Sequence, residues 1–157
     1  MLENARRVLA DCKHAHELLE DELQAGSFRI LWVAGIAMAR AVGHVLQKVD
    51  GESDKAVKAA VASAYSVWKS NRSENKIFWD FIEEERNQVL KQYEIGFLGG
   101  QVGMAAGAEL HTLDGNVFCP ITEGPFAGDD CRDVLEQAIR WWEQQLALIE
   151  FAARQLQ

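Results

Sequence analysis

The segment Ser73–Glu94, SENKIFWDFIEEERNQVLKQYE, has the clearest helical pattern in the chain and holds a concentrated group of charged residues. At about 100° per residue, its apolar side chains fall on one stripe, made of Phe78, Trp79, Ile82, Val89, Leu90 and Tyr93. Arg86 falls inside this stripe, between Ile82 and Leu90. Because an unpaired guanidinium is costly in an apolar seam, we expect Arg86 to pair with a carboxylate from another helix or to line a cavity.

Four further segments share this periodicity, and together they predict a mainly α fold, an antiparallel bundle of about five helices. The predicted helices cover residues 3–24, 28–49, 54–70, 74–94 and 130–156. We expect neighbouring helices to be antiparallel because the connections, such as a polar turn predicted at 49–53, are short. The length of 157 residues and the 48% hydrophobic composition suit a single domain over 1–157 with its own core.

Residues 95–128 interrupt the helical pattern, since they contain most of the 12 glycines and both prolines. Within them, the pair Asp114-Gly115 suits a tight turn between segments 109–113 and 116–122. The sequence therefore predicts a β-hairpin at 109–122, inserted at about 95–128 and appended to the bundle. Asp129 or Asp130 then caps the last helix.

The second predicted helix, 28–49, is apolar on almost every side and is expected to be the central one. Its residues Gly35, Ala39 and Gly43 form a ridge of small side chains, which lets another helix approach closely. In the last predicted helix Trp141 and Trp142 are adjacent, and we expect that no single core direction accommodates both fully. The ridge and the Trp pair predict a homodimer with a two-fold interface.

The net charge and the cysteines disfavour two classes of protein: those that bind nucleic acid or anionic membranes broadly, and secreted disulfide scaffolds. The formal net charge of −8 opposes broad binding to nucleic acid or to an anionic membrane. Cys12, Cys119 and Cys131 are odd in number, and no apolar leader precedes them, so the pattern favours a reducing cytoplasm over a secreted disulfide scaffold. The longest apolar run, Ile30–Ala39, is too short to span a bilayer. These features predict a cytoplasmic protein without a membrane segment.

The string Glu85-Arg86-Asn87, followed by Lys91 and preceded by the aromatic-rich turn Ile77–Trp79, resembles the signature of the HEPN family of small helical-bundle proteins. The resemblance covers residues 27–94 and implies a bundle that pairs through its helices. In active members an Arg, a following polar residue and a His a few positions later form a metal-independent ribonuclease site, contributed by both subunits of a dimer. On this resemblance the candidate site residues are Arg86, Asn87 and Lys91.

Lys91 stands where the family has its His. A lysine near its ordinary pKa is a poor base at neutral pH, whereas an imidazole titrates there. His44 is a second source of an imidazole, since the second and fourth predicted helices are expected to pack together. With the acidic net charge, the missing His favours a non-catalytic HEPN-like binding or assembly module over a ribonuclease that uses Arg86 with Lys91 or His44.

A small-ligand- or metal-binding bundle is the remaining alternative. The acidic run Glu83–Glu85 is interpreted as a solvated face, the usual fate of such runs. The chain lacks the Glu-x-x-His motif of di-iron bundles. We therefore predict no cofactor and no metal, and a partner that is either a second copy of the chain or another protein.

Overall fold

The computed structural model of this chain describes the backbone of residues 1–92, 95–99, 102–106, 109–113 and 118–157, and the side chains of residues 1–89, 95–99 and 118–157. Its helices are α1, Glu3–Glu20, α2, Ala25–Ser53, and α3, Lys55–Ser70. Helix α4 begins with a π-helical turn, Ile77–Glu83, and continues as the α-helix Glu84–Gln92; α5 is Cys131–Gln155. The predicted mainly helical bundle is confirmed.

Helix α2 is longer than the sequence predicts. It continues through a π-helical turn, Leu46–Asp50, and a last turn, Gly51–Ser53. The polar turn predicted at 49–53 is therefore wrong, and the chain leaves the helix only at Asp54. Asp54 is extended and caps α3 through hydrogen bonds to the backbone N–H groups of its first turn.

The other helix boundaries differ from the prediction by a few residues. Helix α1 ends at Glu20, four residues before its predicted end, and Gly26 lies in the first turn of α2. Asp130 is the N-cap of α5 and accepts a hydrogen bond from Arg132 N, as one of the two predicted caps. Residues 93–94, the predicted end of the fourth helix, lie outside the described residues.

The π-helical turn of α2 carries a buried carboxylate to the start of α1. Asp50 is 2% exposed, and its Oδ2 accepts from Ala5 N at 2.9 Å, while Oδ1 accepts from Asn4 Nδ2 at 2.8 Å and Asn4 N at 3.3 Å. Leu2, the residue at the N-cap position of α1, offers no side-chain acceptor. Asp50 therefore supplies, from another helix, the cap that the first N–H groups of α1 need.

The ridge of small residues on α2 receives α5. A Cβ added to Gly35 would lie 2.8 Å from Leu135 Cδ2, and one added to Gly43 would lie 2.9 Å from Trp142 Cη2. Between them, the backbone oxygen of Ala39 accepts a hydrogen bond from Trp142 Nε1 at 2.8 Å. The expected close helix approach is confirmed, and it occurs within one chain.

The core also holds both adjacent tryptophans, which corrects the expectation that it could not. Trp142 is 0% exposed and Trp141 is 8% exposed. Trp141 stacks on Phe78 of α4 with ring centroids 5.2 Å apart, and its Nε1 donates to Asn75 Oδ1 at 3.1 Å. Because the loop before α4 supplies this acceptor, the second indole is satisfied without a partner chain.

The described strands are β1, Val102–Ala106, and β2, Glu109–Leu113. They pair antiparallel, with Val102 opposite Leu113 and Ala106 opposite Glu109. The hairpin predicted at 109–122 is therefore wrong, because β2 pairs with residues that precede it. Residues 118–122 contribute isolated bridges instead, and Asp114-Gly115 lies outside the described residues.

One helix in the described part of the chain, α2, is long and apolar enough to cross a membrane by length and composition. The central helix of a soluble bundle passes the same test, and α2 buries Phe28, Trp32 and Ile36 in the core. The cytoplasmic location stays a prediction.

Candidate functional site

Arg86, on which the sequence hypothesis centres, is half-buried and bonds to its own neighbour. Its Nη1 donates a hydrogen bond to Asn87 Oδ1 at 3.0 Å. Among the described side chains, no carboxylate is within ion-pair distance of its guanidinium. The pairing that was expected with a carboxylate of another helix is therefore not found.

Apart from Asn87, the predicted site residues are not brought to Arg86 by any described contact. His44 is exposed on α2, and no hydrogen bond or ion pair in the described part of the chain joins it to Arg86. Arg40, one turn earlier, pairs with Glu83 of α4, with Nε and Oε1 3.1 Å apart. Lys91 belongs to α4, but its side chain lies outside the described ones, so its role stays a prediction.

Helix α4 turns Glu85, rather than Arg86, into the core. Glu85 is 7% exposed, and among the described side chains of this helix Phe78, Phe81, Ile82 and Val89 are also buried. On an ideal α-helical projection of the sequence, at 3.6 residues per turn, Glu85 lies about 20° from Phe78; the π-helical turn Ile77–Glu83 changes that angle in the structure. In the sequence pattern, apolar side chains lie on either side of Phe78, so the pattern does not fix which side faces the core. In the structure, Phe81 packs against Trp32 of α2, with ring centroids 5.9 Å apart. This contact selects the face that contains Glu85.

A cavity of 690 Å³ separates α4 from the segment that precedes α5. Its floor is formed by Glu85 with the buried or half-buried Phe81, Ile121 and Phe126. Its rim carries three exposed carboxylates, those of Asp80, Glu84 and Glu123. The interpretation of Glu83–Glu85 as a solvated face is thus correct for Glu84 and wrong for Glu85.

The charge of the described part of this lining has one sign. Four carboxylates contribute to it, and no Lys, Arg or His is present among the described residues around the cavity. Low-dielectric walls lined by charges of one sign concentrate the field inside a cleft. The cavity therefore attracts cations and repels anions such as the phosphates of RNA.

Burial perturbs the carboxyl group of Glu85. Desolvation raises the pKa of its carboxyl group above the ordinary value of 4.5, although the hydrogen bond from Gly96 N and the nearby dipole of the Trp32 indole N–H oppose the rise. Gly96 N donates to Glu85 Oε1 at 3.2 Å. Trp32 Nε1 is buried and lies beyond hydrogen-bonding geometry of any acceptor in the described structure. The hydrogen bond from Gly96 N thus offsets only part of the free-energy cost of removing the carboxylate from water.

Gly96 is required for this approach of backbone to carboxylate. A Cβ at this position would lie 2.6 Å from Glu85 Oε2 and 2.7 Å from Oε1. Any side chain here would displace Glu85 from the floor of the cavity, since real Cβ atoms do not approach so closely.

Aromatic rings form much of the remaining lining. Phe81 and Phe126 meet edge to face with centroids 5.9 Å apart. The ring of Trp79 is held by a hydrogen bond from its Nε1 to Trp68 O at 3.0 Å, and the Arg72 guanidinium lies 4.4 Å from its centroid. Arg72 shows that this indole already accommodates a cation on one face.

The wall opposite α4 is a loop fixed at both ends. Thr122 N donates to Gly96 O at 2.9 Å, and Phe97 bridges Ile121 in antiparallel fashion. Gly124 and Gly128 have φ values of 81° and 94°, which residues with a Cβ rarely adopt, so the loop turns sharply at both. These two turns direct the loop past the mouth of the cavity and on to the start of α5.

Asp130 anchors the end of this loop. Both of its carboxylate oxygens accept from the Arg132 guanidinium at 2.8 Å, and Oδ2 also accepts from Cys119 N at 2.8 Å. Burial acts to raise the pKa of Asp130, but these hydrogen bonds prevail and hold it below the ordinary 3.8. The contribution of Asp130 to stability is therefore present above pH 3.8 and is lost as pH falls through the lowered pKa.

Sequence reasoning missed Glu85, Phe126 and Glu123 as residues of one site. The position of Glu85 close to Phe78 on the helical projection was an available signal. The loop residues gave none, because their approach to α4 depends on tertiary contacts and not on any periodic pattern.

Within the described residues, no group of three His, Cys, Asp or Glu side chains is arranged to hold a metal ion. No protein-family model, curated protein or solved structure matches the chain. Fold and site thus define a class, a helical bundle with an acidic and aromatic cavity between its fourth helix and a fixed loop.

Proposed function

We propose that the protein is a non-catalytic binding module that holds an organic cation in the cavity beside Glu85. The observation that carries this proposal is the placement of a buried carboxylate among aromatic rings, beneath a rim of three more carboxylates. This function combines the binding module expected from the sequence with the small-ligand alternative.

The chemistry of the cavity favours an ammonium or guanidinium group. A volume of 690 Å³ falls within the range of small-molecule sites. A cation on an aromatic face gains about 0.5–2 kcal/mol, and a charge-assisted contact with Glu85 adds about 1.5–3 kcal/mol. The ligand also supplies the countercharge that Glu85 lacks, so binding and the relief of its desolvation are the same event.

A titration with benzyltrimethylammonium and with its uncharged carbon isostere tests this function. The two probes have the same shape, so only the charge distinguishes them. We expect the cation to bind at least about tenfold more tightly than the isostere, because only the cation is attracted by the aromatic faces and by the carboxylate charge. Isothermal titration calorimetry measures both affinities, and equal affinities for the two probes would refute the proposal.

A metal-independent ribonuclease at Arg86 is the second candidate. It is favoured by one observation, that the Arg86 guanidinium is half-buried and bonded to Asn87 rather than to a described carboxylate. Against it stand the acidic net charge and the Lys at position 91. The HEPN-like character of the bundle remains a proposal that rests on the same Arg86-Asn87 pair.

Incubation of the purified protein with mixed RNA and EDTA separates the two candidates. We expect the RNA to remain intact, because no described imidazole contacts Arg86 and Lys91 is a poor base at neutral pH. Cleavage that is lost in a folded Arg86→Ala variant would favour the ribonuclease, and the unchanged circular dichroism of that variant is the control.

Assembly of two copies also remains a proposal. Its original reasons, the ridge and the Trp pair, are satisfied inside one chain. Exposed apolar side chains of α3 and α5 now support it, since Val67, Leu148 and Phe151 are 51%, 60% and 65% exposed. Sedimentation at micromolar concentration distinguishes such a dimer from the 17.6 kDa monomer.

A further inference from the structure

Cys119 and Cys131 face each other at the base of the loop that forms one wall of the cavity. Pro120 and Asp130 form an antiparallel bridge, and the next pair outward is Cys119 and Cys131, joined by a hydrogen bond from Cys131 N to Cys119 O of 2.9 Å. Directly opposed residues of an antiparallel hydrogen-bonded pair have Cα atoms about 5.5 Å apart. Disulfides span Cα separations of roughly 4.4–6.8 Å, so this backbone pairing is compatible with a disulfide.

The two side chains are also in contact and differ in character. Both are 0% exposed and present as thiols, and a hydrogen bond joins their sulfur atoms. That bond lowers the pKa of Cys119, whereas burial and the same bond raise the pKa of Cys131. Because the thiolate is the reactive form, Cys119 is the nucleophile of the pair and Cys131 is its proton donor.

We propose that Cys119 and Cys131 form a redox-active dithiol that hydrogen peroxide converts into an intramolecular disulfide. The Cys119 sulfur attacks one peroxide oxygen, the O–O bond breaks, and a sulfenic acid forms as the other oxygen leaves as water with the thiol proton. The Cys131 sulfur then attacks the sulfenic sulfur, the S–S bond forms, and the S–O bond breaks as the hydroxyl group leaves as water with the Cys131 proton. Two thiols lose two electrons and two protons, and the peroxide becomes two waters.

The surroundings give a small oxidant a route to the pair. Phe118, next to Cys119, is 44% exposed, and residues 122–125 and 127–129 of the loop are exposed. The thiols therefore lie one layer below a surface loop, and a peroxide molecule, little larger than water, needs only a local opening of that loop. Local openings of this kind are far less costly than global unfolding.

The disulfide would close the segment 119–131, which carries Ile121 and Phe126 of the cavity wall. A cross-link of this length restricts the unfolded chain and limits opening of the loop. Oxidation therefore raises Tm and slows exchange of amide hydrogens within 120–130. This inference stands apart from the proposed cation binding, because it uses neither Glu85 nor a ligand.

Cys12 provides an internal control for the oxidation experiment. It is also 0% exposed, but its sulfur donates to Gly35 O at 3.4 Å, and burial raises its pKa to about 12. Folded protein is treated with hydrogen peroxide, quenched, denatured and alkylated with N-ethylmaleimide. We expect alkylation of Cys12 alone, with Cys119 and Cys131 protected.

Proteolysis after Glu123 then locates the bond, since this residue lies between the two cysteines. The fragments that contain Cys119 and Cys131 should stay joined, at a mass lower by two hydrogen atoms, and separate after reduction. Alkylation of all three thiols, or linkage of either residue to Cys12 or to another chain, would overturn the proposal.

Single variants test the assigned roles. In Cys131→Ser, peroxide should convert Cys119 into an oxidised acid that no thiol resolves, whereas in Cys119→Ser, Cys131 should remain alkylatable. Serine preserves size and a hydrogen-bonding group, and circular dichroism of each variant verifies the fold. Equal oxidation of the remaining thiol in both variants would overturn the assignment of Cys119 as the nucleophile.

Discussion

Replacement of Glu85 by glutamine is expected to weaken binding of benzyltrimethylammonium by about tenfold to a hundredfold, because the Coulomb attraction between the cation and a buried carboxylate is lost. The same substitution should raise Tm at neutral pH, because burial disfavours the ionised carboxyl group and a neutral amide removes that cost. Glutamine keeps an oxygen that accepts from Gly96 N. A higher Tm together with a lower affinity for the cation is the expected result for a functional residue. Substitution of a structural residue would lower both the Tm and the affinity.

The pH dependence follows from the raised pKa of Glu85. Between pH 4.5 and the raised value, the folded state binds more protons than the unfolded state, so stability falls as pH rises through this window. Cation affinity should rise over the same window, because only the ionised form attracts the ligand. Both slopes should become smaller in Glu85→Gln, as measured by thermal unfolding and calorimetry at several pH values.

Two further variants locate the effect at the cavity floor. Glu123→Gln removes an exposed rim charge and should reduce affinity by less than about fivefold, the range of solvent-exposed ion pairs. Asp11→Asn removes an exposed carboxylate of α1 that does not line the cavity, and it should have no effect. If Asp11→Asn weakened binding as much as Glu85→Gln, the attraction would be a property of the net charge of −8 and not of the site.

The helical architecture could be predicted from the sequence because apolar residues recur with the spacing of a helix, and this spacing is visible within a short segment. The ridge of Gly35, Ala39 and Gly43 even predicted a close helix contact, although the partner, Trp142, could not be identified. The error about the Trp pair has a specific physical cause. Burial of Trp141 depends on an acceptor from Asn75, which lies before α4 and has no periodic relation to it.

The site was harder to predict because two of the features that form it depend on tertiary contacts, which the sequence pattern does not show. The apolar pattern of α4 is wide enough to allow two core directions, one near Arg86 and one near Glu85. Contact between Phe81 and Trp32 chooses the second direction, and the loop with Phe126 completes the cavity on that side. A pattern of 3.6 residues per turn also cannot reveal π-helical turns, and α2 and α4 each contain one.

Replacement of Asp50 by alanine is expected to lower the free energy of unfolding by about 3 kcal/mol. This carboxylate is 2% exposed and accepts three hydrogen bonds, two of them from backbone N–H groups at the start of α1. Each donor left without a partner costs about 1–3 kcal/mol when buried, and water entering the partly exposed start of α1 offsets part of that sum. The corresponding fall in Tm is about 6–12 °C for a chain of this size.

Asp54 is the matched control, because it also caps a helix through two backbone N–H groups, at 2.8 Å and 3.3 Å, but within its own local sequence. Asp54→Ala should cost only about 1 kcal/mol, the usual value of an N-cap. Denaturant unfolding followed by tryptophan fluorescence and by circular dichroism measures both variants. The difference has a structural reason: Asp54 stabilises one helix, whereas Asp50 joins the end of α2 to the beginning of α1. Equal costs for the two substitutions would show that Asp50 is an ordinary cap, and that the π-helical turn which places it has no role in docking these helices.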